Sequence, residues 1–158
     1  MELPTDSVSC MSTAHLSNAS DGSYIAVCVS FEEVPLAIRS LRDRGFAIYE
    51  LRAAEHPEAD SLADMIANCF GVRQGVSLDA VCDEVWQRLM EHPEERACVV
   101  WRDGGIVMSR NPQLFVDCVE VLIGLAASMA RESTTNWSHR VLLRVLIEGT
   151  GNRFQGWA

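Results

Sequence analysis

Apolar positions along this chain fall into two kinds of run. Short, β-branched-rich runs at 24–29 (YIAVCV), 97–101 (ACVVW) and 141–147 (VLLRVLI) show no polar alternation, the pattern of strands covered on both faces. Residues 46–51 (FAIYEL) make a further strand candidate. Between these, apolar residues take helical spacing. Over 32–44 they fall at Val34, Leu36, Ala37, Ile38 and Leu41, with Pro35 in the first turn and Gly45 as the stop. Ser61 and Asp64 form an S-x-x-D start, and Leu62, Met65, Ile66 and Cys69 mark one face of a short helix. Gly71 and Gly75 bracket a loop, and Ser77 is a good N-cap for a helix striped by Leu78, Val81, Val85 and Leu89, with Pro93 beyond its end. Asn111-Pro112 opens a helix predicted over 112–131, apolar nearly all round and therefore expected to be deeply packed.

The predicted order is β-α-β-α-α-β-α-β. Strands alternating with helices imply an α/β fold, a mainly parallel sheet packed by helices through right-handed crossovers. Residues 1–22, rich in Ser, Thr, Asn and Asp without an apolar period, are expected to be disordered. Residues 23–148 then form one α/β domain, and 149–158 a polar tail carrying Phe154 and Trp157. The first β-α unit is expected to add a strand to the sheet, or alternatively to serve as an edge for oligomerisation.

Composition narrows the function. With 158 residues and 48% hydrophobic content the chain can bury a real core. The apolar run 114–130 is broken by Asp117 and Glu120, each costing about 2.5–3.5 kcal/mol at a bilayer centre, so a buried helix is expected and not a span. The acidic N-terminus lacks the basic region of a secretory signal, and six scattered cysteines include no C-x-x-C pair. Reduced thiols in a cytoplasmic protein are the expectation. None of the four histidines stands at zinc spacing from a cysteine, Gly104-Gly105 lacks a phosphate-loop context and reads as a plain turn, and no thiol is marked as a nucleophile. No metal, cofactor or catalysis is expected.

Charge is the informative quantity. The net charge is −9, which argues against a nucleic-acid-backbone binder, since those need clustered cations; that all 13 basic residues are arginine is a compositional bias. Residues 55–95 hold 10 acids and 2 arginines, net −8, whereas 96–158 hold 5 acids and 7 arginines, net +2. Such a field steers a cationic partner. On the helix after Ser77, Asp79 and Asp83 are one turn apart, with Trp86 at the border of the apolar stripe. Like charges so placed cost about 0.2–0.5 kcal/mol, and the plain alternative is a solvated acidic face.

The segment GVSLDAVCDEVW over 75–86 resembles the hallmark of the barstar family: a glycine followed three residues later by Leu/Trp-Asp-Ala-Leu, then an Asp one turn on. Here these are Gly75, Leu78, Asp79, Ala80, Val81 and Asp83. Val99-Val-Trp-Arg102 is similar to the family's second strand, Asn111-Pro-Gln-Leu-Phe115 to the opening of its last helix, and 141–147 to its closing strand, so the resemblance covers about 46–148. It implies a three-stranded parallel sheet packed by helices, here with an extra N-terminal β-α unit. It also implies an intracellular inhibitor of a ribonuclease, an immunity protein whose carboxylates fill a cationic active site. By position, Asp83 would be the central anchor and Asp79 its neighbour, with Arg73 and Ser77 on the preceding loop and Cys82 and Trp86 completing the partner-binding set. Arg73 and Gln74 stand where the family usually has aromatics, Cys82 replaces a common tryptophan, and the family's acidic contact on the last helix falls at Gly124, one turn after Glu120. These departures point to a basic ribonuclease or toxin nuclease domain other than barnase. A regulatory or scaffold module that keeps the fold but binds a non-nuclease partner is the alternative, and a small α/β enzyme or ligand-binding protein a further one.

Overall fold

The computed structural model describes residues 26–53, 61–91, 96–135 and 141–149. The expectations for residues 1–22, the tail beyond Gly149, Pro93, Cys10 and the four histidines lie outside them. The elements run β1 (Ala26–Val29), α1 (Val34–Asp43), β2 (Ala47–Leu51), α2 (Leu62–Phe70), α3 (Leu78–Glu91), β3 (Arg96–Trp101), α4 (Gly104–Arg110), α5 (Pro112–Thr135) and β4 (Leu142–Glu148).

The four strands form one parallel sheet in the order β1-β4-β3-β2. Ala26 of β1 registers with Val145 of β4, Arg96 of β3 with Leu142, and Ala47 of β2 with Ala97. The N-terminal strand thus pairs with β4 at one edge, giving four strands where the family resemblance alone implied three. From β1 the chain crosses the whole sheet to β2, then steps back through β3 to β4. A reversal of direction under right-handed crossovers places the first connection on the opposite face from the others. Accordingly α1 packs Val34, Ala37, Ile38 and Leu41 onto Phe46, Cys98, Val100 and Leu146. The larger core on the other face joins Ala97, Val99, Trp101, Leu143, Val145 and Ile147 to α2, α3 and α5. Alternate residues of β3 and β4 serve the two cores, the period-two rule of a sheet buried on both sides.

Two expectations need correction. Residues 104–110 form the short helix α4, not a plain turn at Gly104-Gly105. A Cβ on Gly104 would collide with Ile147 Cγ2, so this glycine is required by close packing against β4. The long helix α5 is not packed all round. Phe115, Cys118, Leu122, Ala126 and Met129 are buried, while Gln113, Glu120 and Gly124 face solvent.

Trp101 is a fully buried core residue, stacked on Phe115 at 5.1 Å and donating its Nε1–H to Asp103 Oδ1 at 2.7 Å. Arg144, which interrupts the apolar run of β4, is 8% exposed and lies 5.3 Å from the Phe46 ring centroid; Arg44 and Arg96 approach the same ring at 5.8 and 5.9 Å. Burial, reinforced by Arg44 and Arg96, pushes the Arg144 pKa below the usual arginine range, with Cys98 acting in the opposite sense. Burial pushes the Cys69 and Cys98 thiols up to about 12, and Cys118 also upward, in keeping with reduced thiols acting as small hydrophobes.

Candidate partner-binding face on the third helix

The loop between α2 and α3 is held in place before the helix begins. Gly71 ends α2 in the left-handed conformation (φ +65°), its amide reaching Asn68 O while the Val72 amide reaches Ala67 O. At Gly75 the backbone turns again through φ +72°. The Gly75 N–H donates to Asp64 Oδ1 at 2.9 Å, and Gln74 Nε2 donates to Asn68 Oδ1. Ser61 Oγ caps α2 by accepting the Asp64 N–H, and the Asp64 carboxylate extends that cap across to the loop. Ser77 then caps α3, its Oγ accepting the Ala80 N–H at 3.3 Å.

Helix α3 buries Val81, Val85 and Leu89. At about 100° per residue, Cys82, Trp86, Asp79 and Asp83 follow one another within about 100° of arc on one flank, and Glu84 and Arg88 lie on the other. Asp79 and Asp83 are exposed, and neither makes a hydrogen bond or ion pair among the described residues. Cys82 is half-buried beside them; its thiol is pushed up first by burial and then by the two carboxylates. Trp86 is also half-buried, packed against the larger core with Cys82 and Met90. Two negative groups thus project from a partly apolar strip with no internal cation opposite them among the described residues.

The second flank is arranged differently. Arg73 Nη2 pairs with Glu84 Oε1 at 2.9 Å, the Arg73 amide donates to Glu84 Oε2 at 3.2 Å, and Arg88 Nη1 donates to Gly71 O at 2.8 Å. These groups border an open groove of about 670 Å³ between the loop and α3. Of the expected site residues, the fold brings Asp79, Cys82, Asp83 and Trp86 together, uses Ser77 as their helix cap, and places Arg73 on the opposite flank. Glu120 and Gly124 are exposed together on α5.

Sequence reasoning did not single out Glu84, and it named Asp64 only as the acid of a helix start. Glu84 answers a residue 11 positions upstream, which no helical period reveals. Asp64 carried a legible signal as a capping-box acid, but its bond to Gly75 depends on tertiary closure.

No family model matches the chain, and neither a curated protein nor a solved structure matches it.

Proposed function

We propose that the chain is a barstar-type inhibitor of a ribonuclease: an intracellular immunity protein that fills the cationic active site of a basic nuclease or toxin domain with helix carboxylates. The observation that carries this is the pair Asp79 and Asp83, exposed one turn apart on α3 and free of any internal cation among the described residues. A site built to hold phosphates presents Arg, Lys and His donors, and a carboxylate offers those donors the same acceptor geometry. Asp83 enters as the central anchor and Asp79 beside it. Cys82 and Trp86 supply the apolar surround that excludes water from the charged pairs. The −8 charge of residues 55–95 raises the association rate and makes binding salt-sensitive. No catalysis and no cofactor are involved. The parallel strands β2, β3 and β4 packed by helices and the Gly75-to-Asp83 segment support the likeness to the family.

The test is RNA cleavage by a panel of small basic bacterial ribonucleases and toxin nuclease domains, with and without the protein. Stoichiometric inhibition of one member, abolished by Asp83→Ala, is the expected result. If every nuclease cuts equally well with and without the protein, the proposal fails. A second reading, a module of the same fold that binds a non-nuclease partner, has one specific support. Arg73 and Gln74, where the family usually carries aromatics, are engaged by Glu84 and Asn68. Capture of a partner without nuclease activity through the same two aspartates would favour it.

A further inference from the structure

The connection after β1 leads to α1 on one face of the sheet, and the connection after β3 leads to α4 on the other. Strand β4 lies between β1 and β3, so the two chains part over its carboxyl end. In open parallel sheets such a divergence opens a crevice where ligands bind. Here a cavity of about 370 Å³ occupies that place, bounded by Phe31 after β1, Arg102 after β3 and Glu148 at the end of β4. Its volume lies at the lower end of the range for small-molecule sites, about 300–1,000 Å³.

The lining is chemically uneven. Phe31 and Ile106, 62% and 48% exposed, are two of the three exposed large hydrophobic residues described, and both border this cavity. Leaving two such side chains in water at one depression has a cost that an apolar ligand would remove. The acids of the cavity are already engaged. Glu148 Oε2 accepts from Arg102 Nε at 2.9 Å, and Asp103 Oδ1 accepts from Trp101 Nε1 at 2.7 Å and from the Ala53 amide at 3.0 Å. Arg110 is an exposed cation on the same rim that makes no ion pair among the described residues. Its planar fork suits a carboxylate better than a point charge would.

We propose that this crevice binds a small apolar carboxylate, its hydrocarbon body against Phe31 and Ile106 and its carboxylate on Arg110. The site is separate from the α3 face and does not depend on the inhibitor reading. The probes are benzoate and 3-phenylpropanoate, with benzyl alcohol as the neutral counterpart, titrated into the full chain. Amide shifts of Gly105, Ile106 and Gly149 locate the binding, and saturation gives the affinity. The expected result is saturable millimolar or tighter binding of a carboxylate, at least about tenfold weaker for the alcohol, and weakened about tenfold by Arg110→Gln. Phe31→Ala should weaken all three probes, and Arg39→Gln on α1, an exposed cation remote in sequence, should change nothing. Thermal melting of Arg110→Gln checks that its fold is intact. Failure of both carboxylates to saturate, equal binding of benzyl alcohol, or equal affinity in Arg110→Gln and Arg39→Gln would each overturn the proposal.

Discussion

The two flanks of α3 carry the same kind of side chain and use it in opposite ways. Glu84 accepts from both the amide and the guanidinium of Arg73, so its charge is spent in fixing the α2–α3 loop. Asp79 and Asp83 leave their charge facing solvent. Residue type does not distinguish the three acids, which all lie within six residues of one helix. What separates them is which flank the folded loop approaches. A carboxylate that closes a loop belongs to the structure, whereas one projecting beside a half-buried tryptophan is available to a partner.

The sharpest way to break this contrast is to remove one acid from each flank. If the proposed inhibition holds, Asp83→Ala should cost about 2–5 kcal/mol in affinity for the target ribonuclease, because the enzyme's cations would be left buried and unpaired. Glu84→Ala should change that affinity by less than about 0.5 kcal/mol, as a residue at the rim does. Calorimetric titration of both variants decides the matter, and equal losses would mean that the binding face is misplaced. Stability should show the reverse order.

On the loop flank the largest stability effect belongs to the backbone. Gly75→Ala meets no atom within 4 Å of the added Cβ, so sterics with neighbours are excluded. Its φ of +72° nevertheless strains any L side chain, and the expected cost is about 1–2 kcal/mol in urea unfolding. Asp64→Ala removes the acceptor of the Gly75 N–H and should cost about 0.5–1.5 kcal/mol. Glu84→Gln comes next. The Arg73 side chain in that ion pair is 68% exposed and solvent screens the pair, so about 0.2–1 kcal/mol is expected, less at high salt. If Glu84→Gln destabilised more than Gly75→Ala, the loop would be held by charge and not by its turns.

Much of this architecture was legible before any coordinates, for identifiable reasons. Strands β3 and β4 declared themselves by continuous apolar runs, because a parallel strand covered on both faces needs no polar alternation. Ser61, Ser77 and Gly71 were readable because caps and left-handed turns impose local residue choices. Helix α4 was not, since seven residues opening on Gly-Gly carry too few positions to show a period. The exposed face of α5 was hidden for a different reason. Val116, Val121 and Ile123 are only half-buried, so apolar character all round did not mean burial all round. In the candidate site, the acids on the α3 flank were legible by helical arithmetic alone. The pairing of Arg73 with Glu84 was not, because it exists only once the loop has folded back.

The smallest effects test whether Asp79 and Asp83 really lack internal partners. Two like charges one turn apart repel, so Asp83→Asn should raise stability by about 0.2–0.5 kcal/mol, and added salt should erase the gain. Asp79→Asn gains the same relief but gives up a favourable charge in the first turn of α3, worth about 0.3–1 kcal/mol, so it should come out neutral or slightly destabilised. An internal cation on either aspartate would make its replacement clearly destabilising instead. Cys82 offers a second readout of the same field, because both carboxylates help to raise its pKa. Fewer thiolates form below that raised value, so alkylation of Cys82 near pH 8 should be slow and should speed up in the Asp79→Asn/Asp83→Asn double variant. Peptide mapping separates it from the other cysteines. Burial is the first cause of the shift and remains in the double variant, so the rate should stay below that of an unfolded control. An unchanged rate in the double variant would mean that the two charges are already neutralised within the protein, and the difference between the flanks of α3 would vanish.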